Sequence, residues 1–130
     1  MSRRRLVLLG LAALVLFAVS QSLDWAWANE YGPVDAPLDL ATQATGGSFL
    51  AVGLVAVWRR PRSRAGLLMM AVGLAWNVGS LTSVPNAAAW SIGWAPDGLW
   101  AAILGHLYVS FPSGRLLTRR DRLVVAVIYG

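Results

Sequence analysis

The sequence predicts an all-α, polytopic transmembrane bundle with four spans, the start of a fifth, and a cytoplasmic N-terminus. Three observations carry this. First, all eleven basic residues fall in three short clusters: Arg3, Arg4 and Arg5; Arg59, Arg60, Arg62 and Arg64; and Arg115, Arg119, Arg120 and Arg122. Second, five of the six acids (Asp24, Glu30, Asp35, Asp39 and Asp97) lie between the clusters, and only Asp121 lies within one. Third, the chain is 57% hydrophobic and 13% charged, whereas a soluble domain carries about 25% charged residues. Arginines next to membrane spans stay on the cytoplasmic side. The alternation therefore records the direction of each crossing, with the arginines as topology anchors.

The first uncharged run, Leu6 to Leu23, is close to the roughly 20 residues a crossing needs. Three arginines before it and Asp24 after it place the N-terminus inside. A signal peptide is the competing reading, because Ala18-Val19-Ser20 and Ala26-Trp27-Ala28 both resemble cleavage sites. Residues 24–39 read as an extracytoplasmic loop rich in acids, with Trp25, Trp27 and Tyr31 at headgroup level. The second span, 40–58, ends at Arg59-Arg60-Pro61-Arg62, where proline bars a straight helical continuation. Residues 59–64 form the first cytoplasmic loop.

The third span, 65–84, is bounded by Ser83-Val84-Pro85-Asn86, since the residue before proline avoids helical geometry. It carries Ala71, Ala75, Gly79 and Ser83 at four-residue spacing. That stripe either admits a neighbouring helix closely or reflects only an Ala/Gly-rich composition. Residues 85–97 are expected to lie along the outer interface, Trp90 to Trp94 dipping inward. Asp97 is expected to cap a short fourth span, 98–111. A cytoplasmic loop, 112–122, follows. The run 123–130 is too short to cross, so the chain is expected to be part of a longer protein; the alternative is a short tail on the inner leaflet.

Polar side chains within spans are functional-site candidates. Counted from the outer ends at 1.5 Å per residue, Ser48, Asn77 and His106 all fall about 10–12 Å deep and can share one layer. The functional reading is a ligand- or proton-sensing pocket on His106 and Asn77; the structural one is an interhelical hydrogen bond. A lone histidine without a nearby carboxylate does not make a metal site. Trp76, too deep for the interfacial belt, reads as packing. The chain has no cysteine, so disulfides and thiolate chemistry are excluded. No phosphate-binding loop and no Ser/His/acid constellation is present, so no catalytic residue and no cofactor is assigned. The arginines flank apolar runs rather than lining a polar face, which argues against nucleic acid and for anionic headgroups as partners.

Two stretches carry a resemblance. One is Arg59-Arg60-Pro61-Arg62-Ser63-Arg64-Ala65-Gly66-Leu67-Leu68, leading into an apolar span. The other is His106-Leu107-Tyr108-Val109-Ser110-Phe111-Pro112-Ser113-Gly114-Arg115-Leu116, followed by Asp121-Arg122 and Tyr129. Together they resemble the N-terminal membrane region of actinobacterial sensor histidine kinases, in which a Phe-Pro-Ser-Gly-Arg turn joins two spans. The similarity covers residues 59–130; the first 58 match in architecture only. It implies a multi-pass plasma-membrane sensor that acts as a homodimer. It further implies a kinase core that uses ATP and Mg to phosphorylate a response regulator. The phosphoacceptor helix and ATP-binding motifs are missing here, and His106 cannot replace the phosphoacceptor because it lies within a span. Kinase activity is thus implied only for a longer parent. Two alternatives stay open: a complete small membrane protein, such as a transporter subunit or accessory partner, and the membrane region of a regulator with another output.

Overall fold

The computed structural model describes residues 3–31 and 36–130. Every regular element among the described residues is helical. In chain order these are α1 (Arg3–Tyr31), α2 (Ala36–Arg59), α3 (Ala65–Gly79) with a 3₁₀ turn at Ser80–Ser83, α4 (Ala87–Trp94), α5 (Leu99–Ser110) and α6 (Arg119–Tyr129). Two stretches, Leu40–Arg59 and Ala65–Thr82, are long and apolar enough to cross a membrane; Val7–Leu23 is a shorter apolar stretch.

The third helix is the centre of the bundle. Eight of its fifteen residues are buried, because it packs against a helix on more than one side. Ala13, Leu50, Val57 and Met70 form one core where α1, α2 and α3 meet. Val72, Ala75 and Ile103 form a second between α3 and α5. The α1 and α2 surfaces pointing away from these cores are apolar, with Val7, Leu8, Val15 and Val52 all more than half exposed.

Glycines set the α2–α3 distance. A Cβ on Gly53 would sit 2.7 Å from the Met70 amide nitrogen, and one on Gly66 would sit 2.8 Å from that of Val57. One on Gly73 would sit 2.6 Å from the Gly46 carbonyl oxygen. Backbone thus meets backbone, which only residues without a Cβ permit. Gly46 and Gly53 on α2, and Gly66 and Gly73 on α3, recur at seven-residue intervals, the spacing that keeps one seam facing its partner helix. The Ala71–Ala75 stripe faces α5 instead, with Ala71 packed against the Val72, Ala75 and Ile103 core.

The same packing sorts charge. Gly10 lies under Leu54, and Val7 and Trp58 line a common groove, so the start of α1 lies beside the end of α2. The Arg64 amide donates to the Ser113 carbonyl at 3.1 Å, which joins the 60–64 loop to the turn after α5. All three arginine clusters therefore sit at one end of the bundle. The opposite end carries the last turns of α1, the start of α2, the 3₁₀ turn and α4. Asp24, Glu30, Asp39 and Asp97 belong to that end by chain position; Asp35 lies outside the described residues.

Several boundaries differ from the sequence reading. Residues 24–31 continue α1, and α2 begins at Ala36, so most of the expected outer loop is helical. Residues 87–94, within the expected outer loop 85–97, form a helix. Asn86 caps it, its Oδ1 accepting from the Ala88 and Ala89 amides at 3.0 and 3.2 Å. Asp97 does not cap α5: the N-cap is Gly98, at φ +80°, with no side-chain bond. A left-handed residue there puts Asp97 one position too early to cap. The last helix starts at Arg119 rather than Leu123, because Thr118 and Asp121 form a capping box that places Arg119, Arg120 and Arg122 on its first turn.

Candidate functional site

Two polar constructions interrupt the apolar interior, and they occupy different levels. The first is centred on Asn77, which is 1% exposed. Its Nδ2 donates to the Gly73 carbonyl at 2.6 Å, and its Oδ1 accepts from Gln21 Nε2 at 3.0 Å. Ser80 Oγ donates to the Asn77 carbonyl at 2.7 Å. Beside it, the Trp76 indole nitrogen donates to the Thr42 carbonyl at 3.0 Å, and the ring meets Trp100 edge-on with centroids 4.6 Å apart. Gly46 makes room for both, since a Cβ there would run into the Asn77 amide. This cluster ties α1, α2 and α3 together, and every buried polar atom in it has a partner.

The second construction is a cleft of about 640 Å³ lined by Arg64, Leu67, Leu68, Ala71, His106, Gly114, Arg115, Leu116 and Arg122. Four elements build it. The start of α3 brings Arg64, α5 brings His106, the turn after α5 brings Arg115, and the first turn of α6 brings Arg122. The turn is set by local chemistry. Gly114 has φ +70°, a conformation that favours glycine. A Cβ at Gly114 would also collide with the Arg64–Ala65 backbone. Ser63 Oγ donates to the Pro112 and Ser113 carbonyls at 3.3 and 3.4 Å, locking the two loops together. The peptide bond between Phe111 and Pro112 is cis.

No carboxylate lines the cleft, and Arg64, Arg115 and Arg122 have no ion-pair partner among the described residues. Asp121, the one acid nearby in sequence, is engaged elsewhere. Its Oδ2 accepts from the Thr118 amide at 2.9 Å, while its own amide donates to Thr118 Oγ1 at 3.1 Å. The bond from the Thr118 backbone, then that from its hydroxyl, holds the Asp121 carboxyl below its ordinary range. Tyr129 Oη lies 3.4 Å from the Nδ1 of His106, with the two rings edge to face. Among the described residues no three acid or histidine side chains converge to hold a metal ion.

The expected layer of Ser48, Asn77 and His106 does not assemble. Ser48 is exposed, and its hydroxyl donates to the Thr45 carbonyl of its own helix at 2.7 Å. His106 shares its cleft with Arg64 to Ala71 on α3. Asn77 lies six residues beyond Ala71, roughly 9 Å further along the axis. Counting depth from Gly98 assumed that α5 starts at the outer boundary. With twelve residues, α5 is too short for that, and His106 belongs to the arginine end. Gln21 and Tyr129 are the partners that the depth count left out. Gln21 was open to detection as a strong hydrogen-bonding group within the first apolar run.

The comparisons with known proteins add no relative: no family model, curated protein or solved structure matches this chain.

Proposed function

We propose that this chain is the membrane-embedded sensory and anchoring region of a two-component sensor histidine kinase, set in the plasma membrane as a multi-pass bundle with its arginine end in the cytoplasm. The observation that carries this reading is the docked turn at Phe111–Arg115. It fastens the start of α3 to the end of α5 and leads directly into the capped helix α6. A shift of α3 or α5 at the far end is passed through that junction to α6, the start of the fifth span, beyond which an output domain would follow. The resemblance of residues 59–130 to kinase membrane regions supplies the chemical identity of that output. Segregation of arginines to one end supports the orientation, and the exposed apolar faces of α1 and α2 support lipid as the surrounding medium.

In this reading α1, α2, α3 and α5 are the crossings. Helix α5 spans only about 18 Å, so α4 and the turn after it complete its passage at the outer side. Signals enter through the outer end or through the Asn77 cluster. Phosphotransfer, with ATP, Mg and a response regulator, belongs to the kinase core of a longer parent, as does dimerisation. The test is autophosphorylation of the complete gene product, continued beyond Gly130, in lipid nanodiscs with ATP and Mg. An acid-labile phosphohistidine is expected, with a rate that changes several-fold on Gly114→Val. Absence of phosphohistidine, or a rate indifferent to that substitution, refutes the proposal.

A further inference from the structure

The cleft at the arginine end has a composition that the sensor reading does not use. Three guanidinium groups and an imidazole surround a floor made of Leu67, Leu68, Ala71 and Leu116. Side chains from α3, α5, the Gly114 turn and α6 converge there. Among the described residues no carboxylate lines the cleft, and Asp121 is bound into the cap of α6. Three like charges held around one hollow repel one another, so an anion entering it is favoured over water. Cationic side chains attract phosphate oxygens by charge and by charge-assisted hydrogen bonds.

We infer that this cleft binds the phosphodiester headgroup of an anionic phospholipid, with the first part of an acyl chain lying against Leu67 and Ala71. The apolar floor separates this ligand from a free anion. Inorganic phosphate has nothing to place against four aliphatic side chains, whereas a lipid carries its hydrocarbon with its charge. Basic hollows between helices at the cytoplasmic face hold lipid headgroups in this way. The occupant would touch α3, the turn and α6 at once, and so would brace the junction through which motion reaches α6. The inference rests on the reading of the chain as a membrane bundle, and not on its assignment to a kinase.

The experiment is lipid titration of the purified chain in mild detergent, read by native mass spectrometry. Phosphatidylglycerol is compared with phosphatidylcholine. Each Arg→Gln change at Arg64, Arg115 or Arg122 is expected to weaken phosphatidylglycerol binding about fivefold. The triple variant R59Q/R60Q/R119Q removes two more charges than any single cleft change but alters no residue of the cleft, and is expected to lose less than about twofold. The variant R64K/R115K/R122K restores binding and shows that the fold survives substitution there. Equal losses in the cleft and control variants overturn the inference, as does failure of lysine to restore binding. Displacement of the lipid by millimolar inorganic phosphate overturns the choice of lipid. Absence of phosphohistidine in the complete gene product would leave this titration unchanged, so the two proposals fail separately.

Discussion

Replacing Gly73 with alanine tests the close backbone approach of α2 and α3. The added Cβ would lie 2.6 Å from the Gly46 carbonyl oxygen and 2.8 Å from the Leu50 amide nitrogen. Ordinary contact begins at 3.4 Å, so the two helices have to part by about 0.8 Å, the difference between 3.4 and 2.6. Both obstructing atoms are backbone and cannot turn aside. Overpacking of this kind costs about 1–3 kcal/mol, against about 1 kcal/mol gained by alanine over glycine within a helix. Gly73→Ala is therefore expected to lose up to about 2 kcal/mol net. Gly47→Ala is the matched control. Its Cβ would meet only Phe17, at 3.4 Å, an ordinary contact, and it is expected to gain up to about 1 kcal/mol. Unfolding in mixed micelles with increasing dodecyl sulfate, followed by far-ultraviolet circular dichroism, measures both. If Gly73→Ala proves as stable as Gly47→Ala, the close backbone approach of α2 and α3 is wrong.

Two further outcomes follow from the polar constructions. A double-mutant cycle on Gln21→Ala and Asn77→Ala, read by the same unfolding assay, should give a coupling of about 0.6 kcal/mol, typical of hydrogen bonds between helices in membranes; zero coupling would separate α1 from α3 at this level. The Asp121 carboxyl is held below its ordinary value of 3.8. The capping box therefore contributes fully above that value, and the contribution fades as pH falls through the lower, folded one. Titration of the Asp121 side chain by NMR should give a midpoint below 3.8, and a midpoint at or above it would contradict the cap.

Much of this architecture could be read from the order of residues, and the part that could not has identifiable causes. In the proposed membrane reading, arginine placement depends on the cost of moving charge through hydrocarbon. The grouping of Arg3–Arg5, Arg59–Arg64 and Arg115–Arg122 at one end of the bundle follows from it. The break after Ser83 and the reversal at Gly114 are similarly local, since proline and a left-handed glycine act on their immediate neighbours. Depth along a helix can be counted only where its start is known, which failed for His106 on the short α5, and azimuth cannot be counted at all. Ser48 and Asn77 are near the same level, yet one points outward and the other into the core, and only the packing of α1 and α2 decides which. The Gln21–Asn77 bond joins residues 56 positions apart, beyond the reach of any local rule. The glycine seam was visible as a seven-residue repeat on two helices, but the four-residue Ala71–Ala75–Gly79 stripe was the more conspicuous signal. The Asp97 expectation was wrong because Gly98 adopts a left-handed conformation, which a sequence permits without announcing.

Single cysteines provide the most direct test that this is a membrane bundle with its arginines inside, and the native chain has none to interfere. Arg62→Cys and Leu117→Cys report the arginine end, and Ala88→Cys reports the end that carries α4. Treatment of intact cells with an impermeant thiol reagent is expected to label Ala88→Cys alone, with the other two labelled only after the cells are opened. Labelling of Arg62→Cys or Leu117→Cys from outside, or recovery of the protein in the soluble fraction without detergent, would contradict it.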